Sequence, residues 1–260
     1  MHENFDIHAK NYDTVFTFSE IGKAQRNRVY HFLKDNILSK SNLNILELNC
    51  ATGEDARYLT EKGHRVLATD ISSEMINIAK EKHQNSGIRF QELDITKITA
   101  ETFSEKFDLI FSNFGGLNCL SPSELKKFIS ISSELLSPSG KLVLVIMPKN
   151  CLWERFYFSI KGDFKKAARR NTNDFVLANV EGIKIPTWYY NPVEVVSLAS
   201  INYKTIAIKP IGITIPPSYL EPFFKNKRWW LNLLIWKEKW LSSGIWAKYA
   251  DHYLIIFQKK

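Results

Sequence analysis

The sequence predicts an α/β fold built on a mostly parallel sheet, and three observations carry that expectation. Apolar runs of strand length alternate with helical stretches between residues 44 and 147. The first run, NILEL, passes through a tight turn of small residues, Asn49–Gly53, into a helix. The second, RVLATD, ends on a carboxylate, Asp70. Strands that alternate with helices imply parallel pairing, right-handed crossovers and helices on both faces, hence three layers.

Each element has its own signal. Strands are expected at Asn44–Asn49, Arg65–Asp70, Ile88–Leu93, Phe107–Asn113 and Lys141–Met147. Helices are expected between them, at Glu54–Lys62, Ser72–Gln84 and Ser121–Leu136. Ser72 and Ser121 suit N-caps, and Pro122 suits a first helical turn. Residues 1–40 read as helical. Beyond Pro148 the alternation stops. Leu152, Trp153, Phe156, Tyr157 and Ile160 recur at helical spacing, so Asn150–Ile160 reads as an amphipathic helix, which the basic run Lys165–Arg170 continues. Gly182–Tyr190 and Tyr203–Ile213 read as strands, Asn191–Ser200 as a helix opened by Pro192, Glu221–Leu241 as an aromatic helix and His252–Gln258 as a final strand. Three parts result: an N-terminal helical cover (1–40), a central α/β core (41–150), and a part (151–260) that completes the sheet and carries two insertions, near 151–182 and 216–248.

Composition narrows the class. The 260 residues suffice for a substantial core. No basic segment followed by an apolar one opens the chain, and no apolar run approaches membrane-spanning length, so a cytoplasmic location is expected. Cys50, Cys119 and Cys151 are odd in number and far apart, which reads as reduced thiols. The six His form no metal-ligand spacing with Cys or acid, so no metal is expected. Residues 1–150 carry 18 Lys and Arg against 19 Asp and Glu, whereas residues 151–260 carry 17 against 8 and all seven Trp. A near-neutral first part and a basic, Trp-rich second part suggest two jobs.

The turn after the first strand argues about its ligand. Its small residues let a ligand approach the backbone closely, and Gly or Asn readily takes positive φ. Asp70 lies 17 residues beyond Gly53, at a strand end, where a carboxylate can accept from a ribose diol. A dinucleotide would favour GxGxxG and its pyrophosphate-binding helix start. Of that pattern only Gly53 is present, and Glu47, Glu54 and Asp55 surround it with no Lys or Arg between Ile45 and Ala56. An acidic turn suits a ligand bearing ammonium and sulfonium.

The segment from Glu47 to Gly53 resembles motif I of the class I S-adenosylmethionine (SAM) dependent methyltransferases, usually E/D-x-G-x-G-x-G. Asn49 and Ala51 stand where that form has two glycines. TDISSEMINIAKEK resembles the family's second motif. The resemblance implies that Asp70 binds the ribose, Ile71 touches the adenine and Met75 closes the pocket; plain core packing is the alternative for Met75. ELDIT resembles the segment whose acid, here Asp94, accepts from the adenine amino group, with Ile95 against the ring; a turn or helix-cap role is the alternative for Asp94. FDLIFSNFGGLNCL resembles motif IV, which implies that Asn113 and Phe114 lie beside the methionine part and methyl group. FDIHAKNYD resembles a helix that folds over the cofactor. Tyr12 would then cover the methionine moiety, or else pack on the sheet edge, and Arg26 would pair with the cofactor carboxylate, or else stand exposed.

The resemblance implies a Rossmann-like seven-stranded sheet whose last, antiparallel strand inserts beside the fifth, with the two insertions forming a cap. It implies methyl transfer from SAM, giving S-adenosyl-L-homocysteine (SAH), to a small molecule; an aromatic lid over the pocket would suit an acceptor of apolar or aromatic character. The Asn/Asp-Pro-Pro-Tyr signature of nucleobase amino methylation is absent at Asn113-Phe114. Phe114, Trp153, Tyr157, Tyr189 and Trp236 are the candidate acceptor-facing residues. Tyr189, Tyr190, His252 and His31 are candidate bases, none in a recognisable dyad, so no catalytic residue is assigned. A non-catalytic SAM-binding protein is the alternative from another class; an NAD-dependent oxidoreductase is disfavoured by the turn. Trp229, Leu233, Trp236 and Trp240 form one stripe among lysines. Three uses compete for it: a lid with inward aromatics, peripheral contact with an anionic membrane that supplies a lipid-like acceptor, and a nucleic-acid surface, the last disfavoured by dispersed charge.

Overall fold

A computed structural model describes residues 6, 9–39, 42–180 and 183–260. Phe5, Ile7 and His8 of the FDIHAKNYD segment, and Gly182 at the head of an expected strand, lie outside the described residues. A helical turn, Ala9–Tyr12, and a π-turn, Asp13–Thr17, lead into α1, Glu20–Asn36. The Ser19 hydroxyl accepts from the Gly22 amide and caps α1. There follow β1 (Asn44–Leu48), α2 (Glu54–Glu61), β2 (Arg65–Asp70), α3 (Ser73–Lys82), β3 (Arg89–Glu92), β4 (Phe107–Ser112), α4 (Pro122–Leu135) and β5 (Leu136–Ile146). The second part adds α5 (Leu152–Ile160), β6 (Val176–Val180), β7 (Ile183–Thr187), α6 (Pro192–Ala199), β8 (Tyr203–Ile211), α7 (Arg228–Glu238) and β9 (His252–Lys259). Ser72 caps α3, and Ser121 forms a capping box with Glu124 ahead of Pro122.

Seven strands form one sheet in the order β3-β2-β1-β4-β5-β9-β8. β1 to β5 run parallel, and β9 enters antiparallel between β5 and β8. Side chains alternate between two cores. Ile45, Leu109, Phe111, Val143 and Val145 face α1, α2 and α3 through Phe32, Leu33, Leu59 and Ile76. Leu46, Leu48, Ile110, Leu142 and Leu144 face α4 and α6 through Leu125, Phe128 and Val195. Burial on both faces explains why these strands read as continuous apolar runs. The sheet reverses its winding between β1 and β4, and in an open α/β sheet the crevice beyond those strand ends is where ligands bind.

The second part departs from expectation in three places. β6 and β7 pair only with each other, as a separate hairpin. The basic run Lys165–Arg170 does not extend α5, because Gly162 at φ 73° ends the helix and Asp163 caps a new turn. The aromatic helix is broken at Lys225–Lys227 into Glu221–Phe224 and α7. A third small core of Ile21, Ala24, Ile215, Leu220, Phe224 and Leu231 joins α7 to the start of α1, with Trp153 and Tyr157 of α5 packed against it. Among the described residues, no helix is long and apolar enough to cross a membrane.

Candidate active site

The turn after β1 takes an unusual backbone path. Asn49, Ala51 and Gly53 all have positive φ, at 57°, 46° and 81°. They are the alternate residues at which the motif I form carries glycine. Ala pays a steric penalty in this region, and Asn a smaller one. The carboxylate of Asp70 offsets it: Oδ2 accepts from the Ala51 amide at 2.9 Å and Oδ1 from the Ser72 amide at 3.0 Å. Asp70 thus ties the end of β2 to the turn through three backbone amides, and a carboxylate with about four acceptor sites has room for a ligand beside them. Burial raises its pKa, against the backbone amides of Ser72, Ala51 and Ile71.

Asn49 fills the floor of the crevice. Its Oδ1 accepts from the Ser112 hydroxyl at 3.1 Å. A Cβ on Gly116 would meet the Asn49 side chain at 2.4 Å, so the glycine there is required by close approach. Gly116→Ala is expected to destabilise the protein by about 1–3 kcal/mol. Adding Asn49→Gly should restore most of that loss; chemical denaturation of the single and double variants checks the coupling.

Two acids, Asp55 and Glu47, and one arginine form the wall. Arg26 is buried, so the exposed alternative is excluded. Its Nε donates to Asp55 Oδ1 at 3.0 Å, which also accepts from the Tyr30 hydroxyl at 2.6 Å. Asn113 Nδ2 donates to Asp55 Oδ2 at 3.0 Å. Phe114 holds φ 46°, strained for a bulky residue. Asn113 Oδ1 accepts its amide, and its ring lies edge-on to Phe16 and His252, with the Arg26 guanidinium 5.2 Å away. Burial, and then the charge of Asp55, pushes Glu47 well above the usual carboxylate range.

Tyr12, Thr17, Arg26, Asn49, Ala51, Asp55, Asn113 and Phe114 line the crevice, leaving a cavity of about 10 Å³. That is room for about one water molecule. A larger ligand therefore requires the lining to open. Two buried polar atoms here lack partners, Glu47 Oε2 and Arg26 Nη1. An acceptor and a cationic donor are what the ammonium and carboxylate of an amino-acid moiety require, so these residues fit SAM.

Residues 45–140 match the family described as a methyltransferase domain. That stretch is a methyltransferase domain. Curated relatives align over the same region. A malonyl-[acyl-carrier protein] O-methyltransferase of Acetivibrio thermocellus is 34% identical over 112 residues, 42% of this chain and 37% of that protein. One from Priestia megaterium is 29% identical over 145 residues, 54% of this chain and 48% of that protein. The chain thus spans less than half the length of these relatives. Among solved structures, the DhpI–SAH complex superposes with a TM-score of 0.64 at 14% identity, covering 99% of this chain and 94% of the other. Magnesium protoporphyrin IX methyltransferase of Synechocystis, with bound SAH, gives 0.56 at 14%, covering 92% and 83%. At such identities the superpositions establish the shared fold.

Within the methyltransferase domain, the remaining expected donor residues lie at the ends of β2 and β3. The Leu93 amide donates to the Asp70 carbonyl at 2.8 Å, which sets Ile71 and Asp94 on neighbouring strand ends. Asp94 caps a short 3₁₀ turn, accepting from the Thr96 amide and hydroxyl. Burial raises its pKa, but Thr96 and Lys97 more than offset this and hold it low. Met75 is buried, its amide bound to the Ser72 hydroxyl, and Ile95 sits in the α4-side core.

The acceptor candidates separate. Phe114 lines the crevice. Tyr189 lines a groove of about 520 Å³ with Trp188, Tyr190, Lys149 and Glu194. Trp153 donates to the Thr214 carbonyl at 3.2 Å, and Tyr157 packs on Phe158 and Tyr219, so both brace the third core. Trp236 is exposed on the outer stripe of α7, among none of the lining residues of either cavity. The lid expectation, with inward aromatics, is thereby corrected: the inner stripe of α7 is aliphatic, through Leu231, Leu234 and Ile235.

Sequence reasoning missed a buried cluster beside the crevice. Arg170 Nε donates to Glu154 Oε2 at 2.8 Å, and its Nη2 donates to Asp251 Oδ1 at 2.8 Å. Asp251 Oδ2 stands 3.3 Å from His252 Nδ1. These partners come from α5, the following loop and β9, so no local spacing announces them. Tyr189 lies 5.1 Å from the Arg170 guanidinium, which links the groove to the crevice through Asp251, His252 and Phe114. Of the other base candidates, Tyr189 and Tyr190 are pushed upward by burial, and His31 sits exposed on α1 beside Asp35. The three cysteines are unpaired, and burial raises the Cys119 and Cys151 thiols to about 11 and about 12. Among the described residues, no group of three or more His, Cys, Asp or Glu is placed to hold a metal.

Proposed function

We propose that this protein transfers the methyl group of SAM to a small-molecule acceptor. The observation that carries the reading is the turn itself: three consecutive alternate residues in the left-handed region, bound by Asp70, above buried acids in place of a phosphate cradle. When bound, SAM supplies a methyl group already activated by its sulfonium. The protein's own task is then alignment and exclusion of water. Asp70 would hold the ribose, Glu47 and Arg26 the amino-acid end, and Tyr12 and Phe114 would shut out solvent.

The groove beside Trp188, Tyr189 and Tyr190 supports an apolar or aromatic acceptor, with Lys149 and Glu194 as its polar members. His252, 3.3 Å from Asp251 and in ring contact with Phe114, would take the proton if the acceptor is a hydroxyl. A carboxylate acceptor, of the kind named for the malonyl-carrier relatives, needs no base. Incubation of cell extract with isotopically labelled SAM, followed by mass spectrometry, tests the reading. A labelled small molecule is expected. Tight SAH binding with no labelled product would instead favour a non-catalytic donor-binding protein.

A further inference from the structure

The outer face of the 216–248 insertion is built with one sign of charge and one kind of apolar group. α7 seats on the body through Leu231, Leu234, Ile235 and Glu238, at spacings of three, four and seven. The Glu238 carboxylate accepts the amides of Gly212, Ile213, Thr214 and Ile215. The helix is therefore anchored by one stripe alone. On the opposite side, Trp229 and Trp236 of α7 and Trp240 in the turn that follows are 66%, 52% and 76% exposed.

The charges are sorted in the same way. The insertion holds six cations, at Lys225, Lys227, Arg228, Lys237, Lys239 and Lys248, and two carboxylates, Glu221 and Glu238. Glu221 is turned onto the amides of Glu20 and Ile21, at 3.0 and 2.9 Å, and Glu238 onto those named above. Both acids serve backbone amides, while the cations share the exposed Trp-bearing segment: Lys227 lies over the Phe223 ring, Lys248 over the Tyr249 ring, and Arg228 meets Glu20 at 3.0 Å. Neighbouring α5, in contact through Trp153 and Phe224, repeats the arrangement: Glu154 points inward, and Phe156, Ile160 and Lys161 are exposed.

We propose that this face docks on an anionic lipid bilayer, with the Trp stripe of α7 in the interface and the lysines among the headgroups. Indole combines a large apolar body with one polar N–H, which suits the boundary between hydrocarbon and water. A helix with an aromatic face flanked by cations lies in that plane. Neither cavity described above is lined by α7, so the stripe offers no concave seat for a nucleobase or peptide, whereas a bilayer accepts a convex one.

Sedimentation of the full chain with phosphatidylcholine vesicles, with and without phosphatidylglycerol, tests this. Binding is expected to the anionic vesicles, with a blue shift of Trp emission, and to weaken with salt. The variant Trp229→Ala/Trp236→Ala/Trp240→Ala should melt with the wild type and bind more than about ten-fold more weakly. Lys225→Glu/Lys237→Glu/Lys239→Glu should lose about five-fold or more per residue changed. Failure of the folded wild type to sediment at low salt, binding indifferent to both variants, or retention by single-stranded DNA or an acidic carrier protein in place of vesicles would each overturn the proposal. No readout involves SAM, so the outcome is independent of the function proposed above.

Discussion

Replacing Arg170 by methionine is expected to be the most destabilising single change outside the apolar cores, at roughly 3–5 kcal/mol. The guanidinium bonds Glu154, the Asp251 carboxylate and the Asp251 carbonyl, and all three side chains are buried. Methionine fills the space but takes the shared cation from two buried carboxylates, leaving Glu154 with Arg169 and Asp251 with Gln25 and the neighbouring His252. A loss of that size is a large fraction of the stability of an ordinary domain. Urea denaturation measures it, and Glu154→Gln in the same chain should recover part, because one of the two buried negative charges that lost Arg170 is removed. The cluster also predicts acid sensitivity. Burial works to raise the Asp251 pKa, but His252 and Arg170 more than offset it and hold it below the usual carboxylate range. A carboxylate whose folded pKa is depressed contributes stability above its unfolded pKa, near 4, and loses it as pH falls through the folded value. Wild-type stability should therefore drop below pH ~4, and Arg170→Met should flatten that part of the profile.

Asp70→Ala is expected to weaken binding of SAM and SAH by about 10- to 100-fold, the loss of a hydrogen bond to a charged group. The same substitution frees the Ala51 amide that holds the turn in its left-handed path. Two measurements separate the effects. A calorimetric titration reads affinity, and a melting curve reads the turn; a drop in affinity far larger than the drop in stability identifies ligand contact. Unchanged affinity would remove Asp70 from the donor site.

How much of this was readable beforehand follows from locality. β1, β2, β4 and β5 announced themselves as buried apolar runs, and α3 and α4 as capped helices, both encoded within a few neighbours. The site turn was legible for the same reason, from small residues, a strand before and Asp70 after. The left-handed path through Ala51 was not, since an alanine gives no sign of it; it becomes tolerable only through a carboxylate 19 residues away. Arg26 read as an exposed helix residue or a cofactor partner, and it proved to be buried against Asp55, a pairing between α1 and α2 that no spacing encodes. The Trp stripe showed the right period but not its direction. Direction was set by Glu238, an acid that reads as solvent-facing and turns inward to four backbone amides.

The crevice at the ends of β1, β2 and β4 is the proposed seat of an amino-acid-bearing nucleoside, held by acids. Titration of the folded protein with SAH, and separately with NADH, tests that most directly. Saturable one-site binding of SAH, with none of NADH, is the predicted result. Binding of NADH without SAH would contradict it.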